Sequence, residues 1–124
     1  MGRMTKQRDA IEGALERAAR PLSPAEIHAA ARRRVRSISL ATIYRRIKQL
    51  CDEGVAAPIN LPGESPRYEL HGAAKQHHHH FQCLACDRVF DVQGCLPGLA
   101  KLAPPEFTVD RHEIVLYGRC KSCG

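Results

Sequence analysis

The residues with the clearest chemistry stand in one run, His77-His78-His79-His80-Phe81-Gln82-Cys83-Leu84-Ala85-Cys86, answered near the C-terminus by Cys120-Lys121-Ser122-Cys123. Two Cys-x-x-Cys knuckles separated by 33 residues can set four thiolates tetrahedrally around one Zn²⁺, the closed arrangement of a structural site. A single knuckle is also the pattern of a redox pair, and the same thiols are able to form disulfides. A closed Cys₄ site has no place for the histidines. If they open a strand, His78 and His80 project to one face while His77 and His79 project to the other, so the run supplies half of two further metal sites. A solvated polar run is the plain alternative. Asp91, on the strand expected to return beside them, offers a carboxylate to complete an N/O site.

These residues need elements to hold them. Helical spacing of Ile11, Ala14, Leu15 and Ala18 predicts a first helix from about Thr5 to Ala19, closed before Arg20-Pro21. Ser23-Pro24-Ala25-Glu26 reads as a capping box with proline at the first helical position. It starts a second helix to about Arg34, with Ile27, Ala30 and Ala31 inward and His28 as a surface residue. Ser39 caps a third helix with Leu40, Ile43, Ile47 and Leu50 as its core face and Gly54 as its left-handed terminus. The opposite face of that helix carries Ala41, Tyr44, Arg45 and Lys48, a stripe suited to a DNA major groove and its phosphates and equally consistent with a solvated face. Residues 55–59 and 65–70 around an Asn60–Gly63 turn read as a β-hairpin, so three helices are followed by a wing. The tract 71–76 is a small polar hinge. Beyond it come the histidine strand, a return strand over Arg88–Val92, a short helical segment over Leu96–Leu102, and a final strand over Glu106–Tyr117.

Composition sets bounds. A chain of 124 residues makes one ordinary domain or two small ones, which lean on metal or a dimer interface for stability. No apolar run reaches the ~20 residues of a membrane span and the N-terminus lacks a signal-peptide core, so no membrane partner and a cytoplasmic location are expected. In that reducing compartment six cysteines read as ligands before disulfides, with Cys51 and Cys95 left over. Net charge is +6: residues 1–70 carry +5 of it and residues 71–124 only +1, which makes the N-terminal part the candidate for a polyanion partner. Neither His-Glu-x-x-His nor a deaminase-type motif is present, so an enzyme is not expected.

Thr5-Lys6-Gln7-Arg8, Ser39-Leu40-Ala41-Thr42-Ile43-Tyr44-Arg45, the histidine run into Cys83-Leu84-Ala85-Cys86, Leu116-Tyr117-Gly118-Arg119-Cys120 and Cys123 together resemble the ferric uptake regulator (Fur) family. The resemblance implies an α+β protein: a winged helix-turn-helix domain over residues 1–70, a hinge at 71–76, and a small α/β dimerisation domain over 77–124 with a Cys₄ zinc site. It implies a homodimeric, metal-dependent repressor that binds double-stranded operator DNA. Matched position by position, Cys83, Cys86, Cys120 and Cys123 fall on structural zinc ligands. Tyr44 and Arg45 fall on DNA-contacting positions within a motif that includes Ala41 and Thr42, with Lys48 on the same face, and Arg8 falls on a position that contacts the DNA backbone. His78, His80 and Asp91 match a regulatory metal site, to which Glu69 or His71 contributes. His77, His79 and His112 match an additional site, where Cys95 stands near a position the family fills with carboxylate. An all-histidine run resembles zinc uptake regulators, which favours Zn²⁺ as the second metal. Fe²⁺, with iron or peroxide sensing, is the alternative, and a zinc buffer without a DNA role is a further one.

Overall fold

A computed structural model describes residues 3–74 and 79–124 and divides the chain into two compact units, Met1–Gln76 and His77–Gly124. His77 and His78 lie outside the described residues, as do Lys75 and Gln76 of the expected hinge.

The first unit is built on α1 (Arg3–Ala18), α2 (Pro24–Ala31) and α3 (Leu40–Asp52). Ala10, Ile11, Ala14 and Leu15 on α1, Ile27 and Ala31 on α2, and Ile43, Ile47 and Leu50 on α3 bury one continuous apolar core with Leu22, Ile38 and Ala56. The start of α2 is the capping box its sequence announces: the Glu26 amide donates to Ser23 Oγ at 3.2 Å and the Ser23 amide to Glu26 Oε1 at 3.0 Å. This helix stops at Ala31, earlier than expected, because the Arg33 and Arg34 amides turn back to the carbonyls of Ala30 and Ala31 and bring Val35 and Ile38 inward.

His28, expected as a surface residue, is half-buried with Nε2 at 2.9 Å from the Ile38 carbonyl, so it pins the connection between α2 and α3. Leu40, expected in the core, is 41 % exposed; it is the first residue of α3, one turn short of the stripe that the helix buries. Gly54 closes α3 at φ 77°, where a side chain would be strained. Strands β1 (Ala56–Ile59) and β2 (Arg67–Leu70) pair antiparallel, and Leu22 exchanges two 2.8 Å backbone hydrogen bonds with Tyr68, fastening the hairpin to the segment before α2. The expected hinge begins with a helical turn, α4 (His71–Ala74), whose His71 amide donates to Val55 at 2.9 Å.

The second unit is a three-stranded sheet in the order β4-β3-β5. Strand β3 (His79–Cys83) lies antiparallel to β4 (Val89–Val92), which sets His80 opposite Asp91, and parallel to β5 (Val115–Gly118). The long final strand expected over Glu106–Tyr117 is only four residues. A parallel partner needs a crossover, and residues 93–114 are spent on it, leaving Phe107 70 % exposed. The expected helical segment is one 3₁₀ turn at Leu99–Leu102, entered from Gly98 at φ 80°.

Candidate metal centres and nucleic-acid face

The turn after β3 and the turn after β5 bring four thiols together. Cys83 ends β3, Cys86 lies in the following turn, and Cys120 and Cys123 occupy the turn that follows β5, with all four Sγ atoms within 4.8 Å of one another. A tetrahedral ion with Zn–S bonds of about 2.3 Å requires Sγ atoms about 3.8 Å apart; Cys86 and Cys120 stand at 3.7 Å, far beyond a disulfide. The backbone amides of Cys86 and Cys120 both donate to Cys83 Sγ at 3.4 Å and, with burial opposing them, pull that thiol down to about 6. Hydrogen bonding from Cys120, then from Cys86 and Cys83, holds the Cys123 thiol up at about 12. Cys83 thus ionises more readily than Cys123, and a cation bound by the cluster takes the place of the thiol protons. The donor set and spacing fit a thiophilic four-coordinate ion.

Two further donor sets share β3. His80 Nε2 lies 3.4 Å from Asp91 Oδ1 across the β3–β4 pair, an imidazole–carboxylate N/O set. On the other face, His79 is 4 % exposed and meets His112 with ring centroids 5.0 Å apart. Cys95 Sγ stands 2.8 Å from His112 Nε2, and His79, Cys95 and His112 offer donor atoms all within 4.8 Å. The expected alternation thus separates His79 from His80. Glu69 is buried on β2 and His71 opens α4, both in the first unit. His77 and His78 were assigned to these sets and lie outside the described residues.

On α3, Ala41, Tyr44, Arg45 and Lys48 are exposed, Tyr44 to 54 %. Thr42 is buried instead: its amide donates to Ser39 Oγ at 3.1 Å, and its Oγ1 accepts from Ser39 Oγ at 3.0 Å and from Arg45 Nη2 at 3.1 Å. It joins the helix cap to Arg45. Arg8 bridges Glu12 at 2.9 Å and Glu53 at 2.6 Å, and these two carboxylates raise its pKa. A network the sequence did not announce lies behind the wing. Arg67 is buried with Nη1 at 3.4 Å from Glu26 and Nη2 at 3.2 Å from Glu64, while Arg20 reaches Glu26 at 2.8 Å. Its signal was an arginine at a wing position where alternation calls for an inward side chain.

Three helices closed by a hairpin wing, followed by a small sheet bearing thiol and imidazole clusters, define a winged-helix protein able to hold metal ions. The model of the ferric uptake regulator family matches residues 2–117, and the chain belongs to that family. It is 30 % identical over 111 residues to the ferric uptake regulation protein of Helicobacter pylori, covering 90 % of this chain and 66 % of the relative. It is also 30 % identical over 124 residues to the peroxide-responsive repressor PerR of Staphylococcus aureus, covering 98 % of this chain and 82 % of that one. The solved structure of a zinc-bound manganese uptake regulator superposes with a TM-score of 0.77 at 26 % identity, over 95 % of this chain and 90 % of that one. These relatives are regulators and not enzymes.

Proposed function

We propose that this protein is a metal-dependent transcriptional repressor of metal-uptake genes, acting as a homodimer on double-stranded operator DNA, with Zn²⁺ as its effector. The observation that carries this reading is the spacing of donors along β3: its last residue belongs to a four-thiol cluster, while His79 and His80 feed two separate sets on opposite faces. A permanent metal and an exchangeable one can then coexist. The Cys₄ cluster takes the structural zinc. His80 and Asp91 are donors for the regulatory ion, and the sequence resemblance adds His78 and either Glu69 or His71 to them. Tyr44, Arg45 and Lys48 with Ala41 form the groove-facing stripe of α3, with Arg8 on the DNA backbone. Thr42 acts through Arg45.

Metal acts as co-repressor if the DNA-binding conformation holds it more tightly. A coupling of about 1–3 kcal/mol changes DNA affinity about 5–150-fold. Phosphate contacts make that affinity fall steeply with salt. The equal identity to iron and peroxide relatives supports a second reading with Fe²⁺ as effector. One experiment separates the two: the purified chain, retaining its tightly held zinc but stripped of exchangeable metal, is titrated with Zn²⁺ or anaerobic Fe²⁺ while binding to metal-uptake promoter DNA is followed. Restoration by Zn²⁺ supports the first reading and restoration by Fe²⁺ alone the second. Metal-independent binding, or a full metal response in His80→Ala, refutes the assignment of the regulatory donors.

A further inference from the structure

Five arginines of the first unit form a patch that the α3 stripe does not include. Arg32, Arg33, Arg34 and Arg36 stand in the turn between α2 and α3, and all four are exposed. No acid lies among residues 32–36 to offset them. Arg8, Arg20 and Arg67 each pair with a carboxylate, whereas no ion pair neutralises these four among the described residues. Arg32, Arg33 and Arg36 line an open cleft of about 720 Å³ together with Ala29. The fifth, Arg17, comes from α1. It meets the patch over Gly13, where a Cβ would stand 3.0 Å from Arg17 Nη1 and 3.5 Å from Arg34 Nη1, so the bare backbone admits two guanidinium groups side by side. Glycine inside a helix is unfavourable beside alanine, and like charges drawn together repel, so both features oppose stability until an anion sits against them. The dipoles of α1 and α2 each favour a cation at the C-terminal end, which explains two of these residues and not five.

We propose that Arg32, Arg33 and Arg36, backed by the Arg17–Arg34 pair, form a second phosphate-binding surface, which holds the sugar–phosphate backbone of duplex DNA outside the groove that receives α3. The inference rests on the reading that the first unit binds DNA. Position points to the duplex rather than to another polyanion. Arg36 lies three residues before the Ser39 cap, and a recognition helix presents its N-terminal residues to the major groove, with the flanking phosphates beside that end. Guanidinium forks match phosphate oxygens two at a time, and the cleft between Arg32, Arg33 and Arg36 has no carboxylate to compete for them. Backbone contacts carry no sequence information, so the surface adds affinity for any duplex and leaves selection to Tyr44, Arg45 and Lys48. None of the clustered metal donors belongs to this patch, so the response to metal does not pass through it.

The test uses the full chain supplied with Zn²⁺ or, anaerobically, Fe²⁺, and measures affinity for metal-uptake promoter DNA and for an unrelated duplex between about 50 and 300 mM salt. In the triple variant Arg32→Gln, Arg33→Gln, Arg36→Gln, the slope of log affinity against log salt should shrink by about 2–3. Affinity at about 0.1 M salt should fall about tenfold or more, equally for both duplexes. The double variant Arg17→Gln, Arg34→Gln should shrink the slope by about 1. An unchanged slope in the triple variant, with promoter binding intact, overturns the surface and leaves the repressor reading standing. A loss confined to promoter DNA assigns these arginines to base contacts and overturns the phosphate role. Binding that no metal makes specific, but whose slope shrinks in the triple variant, overturns the repressor reading and keeps the surface. A chain that binds neither duplex overturns both.

Discussion

The two units solve the problem of cohesion by different means. The first buries a continuous set of aliphatic side chains contributed by all three long helices and β1. Among the described residues of the second, the buried positions are Val89 with Cys83, Cys120, His79 and Gln82, so most of what it hides from water is capable of ligating a metal. A unit of that size removes little apolar surface with which to offset its chain entropy, and an ion held by the four thiols would supply the missing cohesion. Where one unit has a core, the other has donors. Stability in the first should be indifferent to metal, and in the second should depend on it.

The strongest way to break this contrast is to remove the metal. Chelation, or Cys120→Ser, is expected to abolish amide-exchange protection throughout β3, β4 and β5 while the helices of the first unit keep theirs; protection that persists in the sheet would refute it. The converse change is Ile43→Ala, at a fully buried position, which should cost about 3–4 kcal/mol in denaturant unfolding of the first unit and leave zinc content unaltered. A smaller effect is expected from Glu26→Gln, about 2 kcal/mol, because the capping box weakens and buried Arg67 loses the charge of one of its carboxylate partners. Burial raises the Glu26 pKa, but the Ser23 amide with Arg20 and Arg67 outweighs it and holds the carboxyl below its usual 4.5. Its stabilisation is therefore complete above that value and is lost as pH falls through the lower folded pKa, so Glu26→Gln should flatten the acid limb of the first unit's stability curve. The smallest change has the opposite sign. Ala19, the residue just past α1, stands at φ 51°, and Ala19→Gly should raise stability by about 0.5–1 kcal/mol, read from the thermal midpoint.

Local signals carried much of this architecture. The Ser23 and Ser39 caps, the periodic stripes of α1 and α3, and the Cys-x-x-Cys turns each span only a few residues, where spacing and geometry are nearly the same thing. What pairing across the chain decides was harder to read. The parallel partnership of β5 with β3 shortened the last strand, and no local pattern in Glu106–Tyr117 encodes the crossover it demands. The approach of Cys95 to His112 depends on that crossover, so Cys95 stood in the sequence as a leftover thiol near a family position. The burial of Arg67 and Thr42 was not legible for a different reason, since the partners that bury a polar side chain lie elsewhere in the chain.

One consequence follows from the homopolymeric run itself. Sliding β3 by a single position would put His79 opposite Asp91 in place of His80, and His80 opposite Phe90 in place of Phe81. At the Asp91 position the histidines are interchangeable, since either frame presents an imidazole there, and the rest of the strand must set the register. Cys83 breaks the degeneracy, because a slip carries its sulfur away from the Cys120 amide and out of the thiol cluster. An ion held by the four thiols would therefore act as the frame marker for the strand, and would decide which histidine stands opposite Asp91.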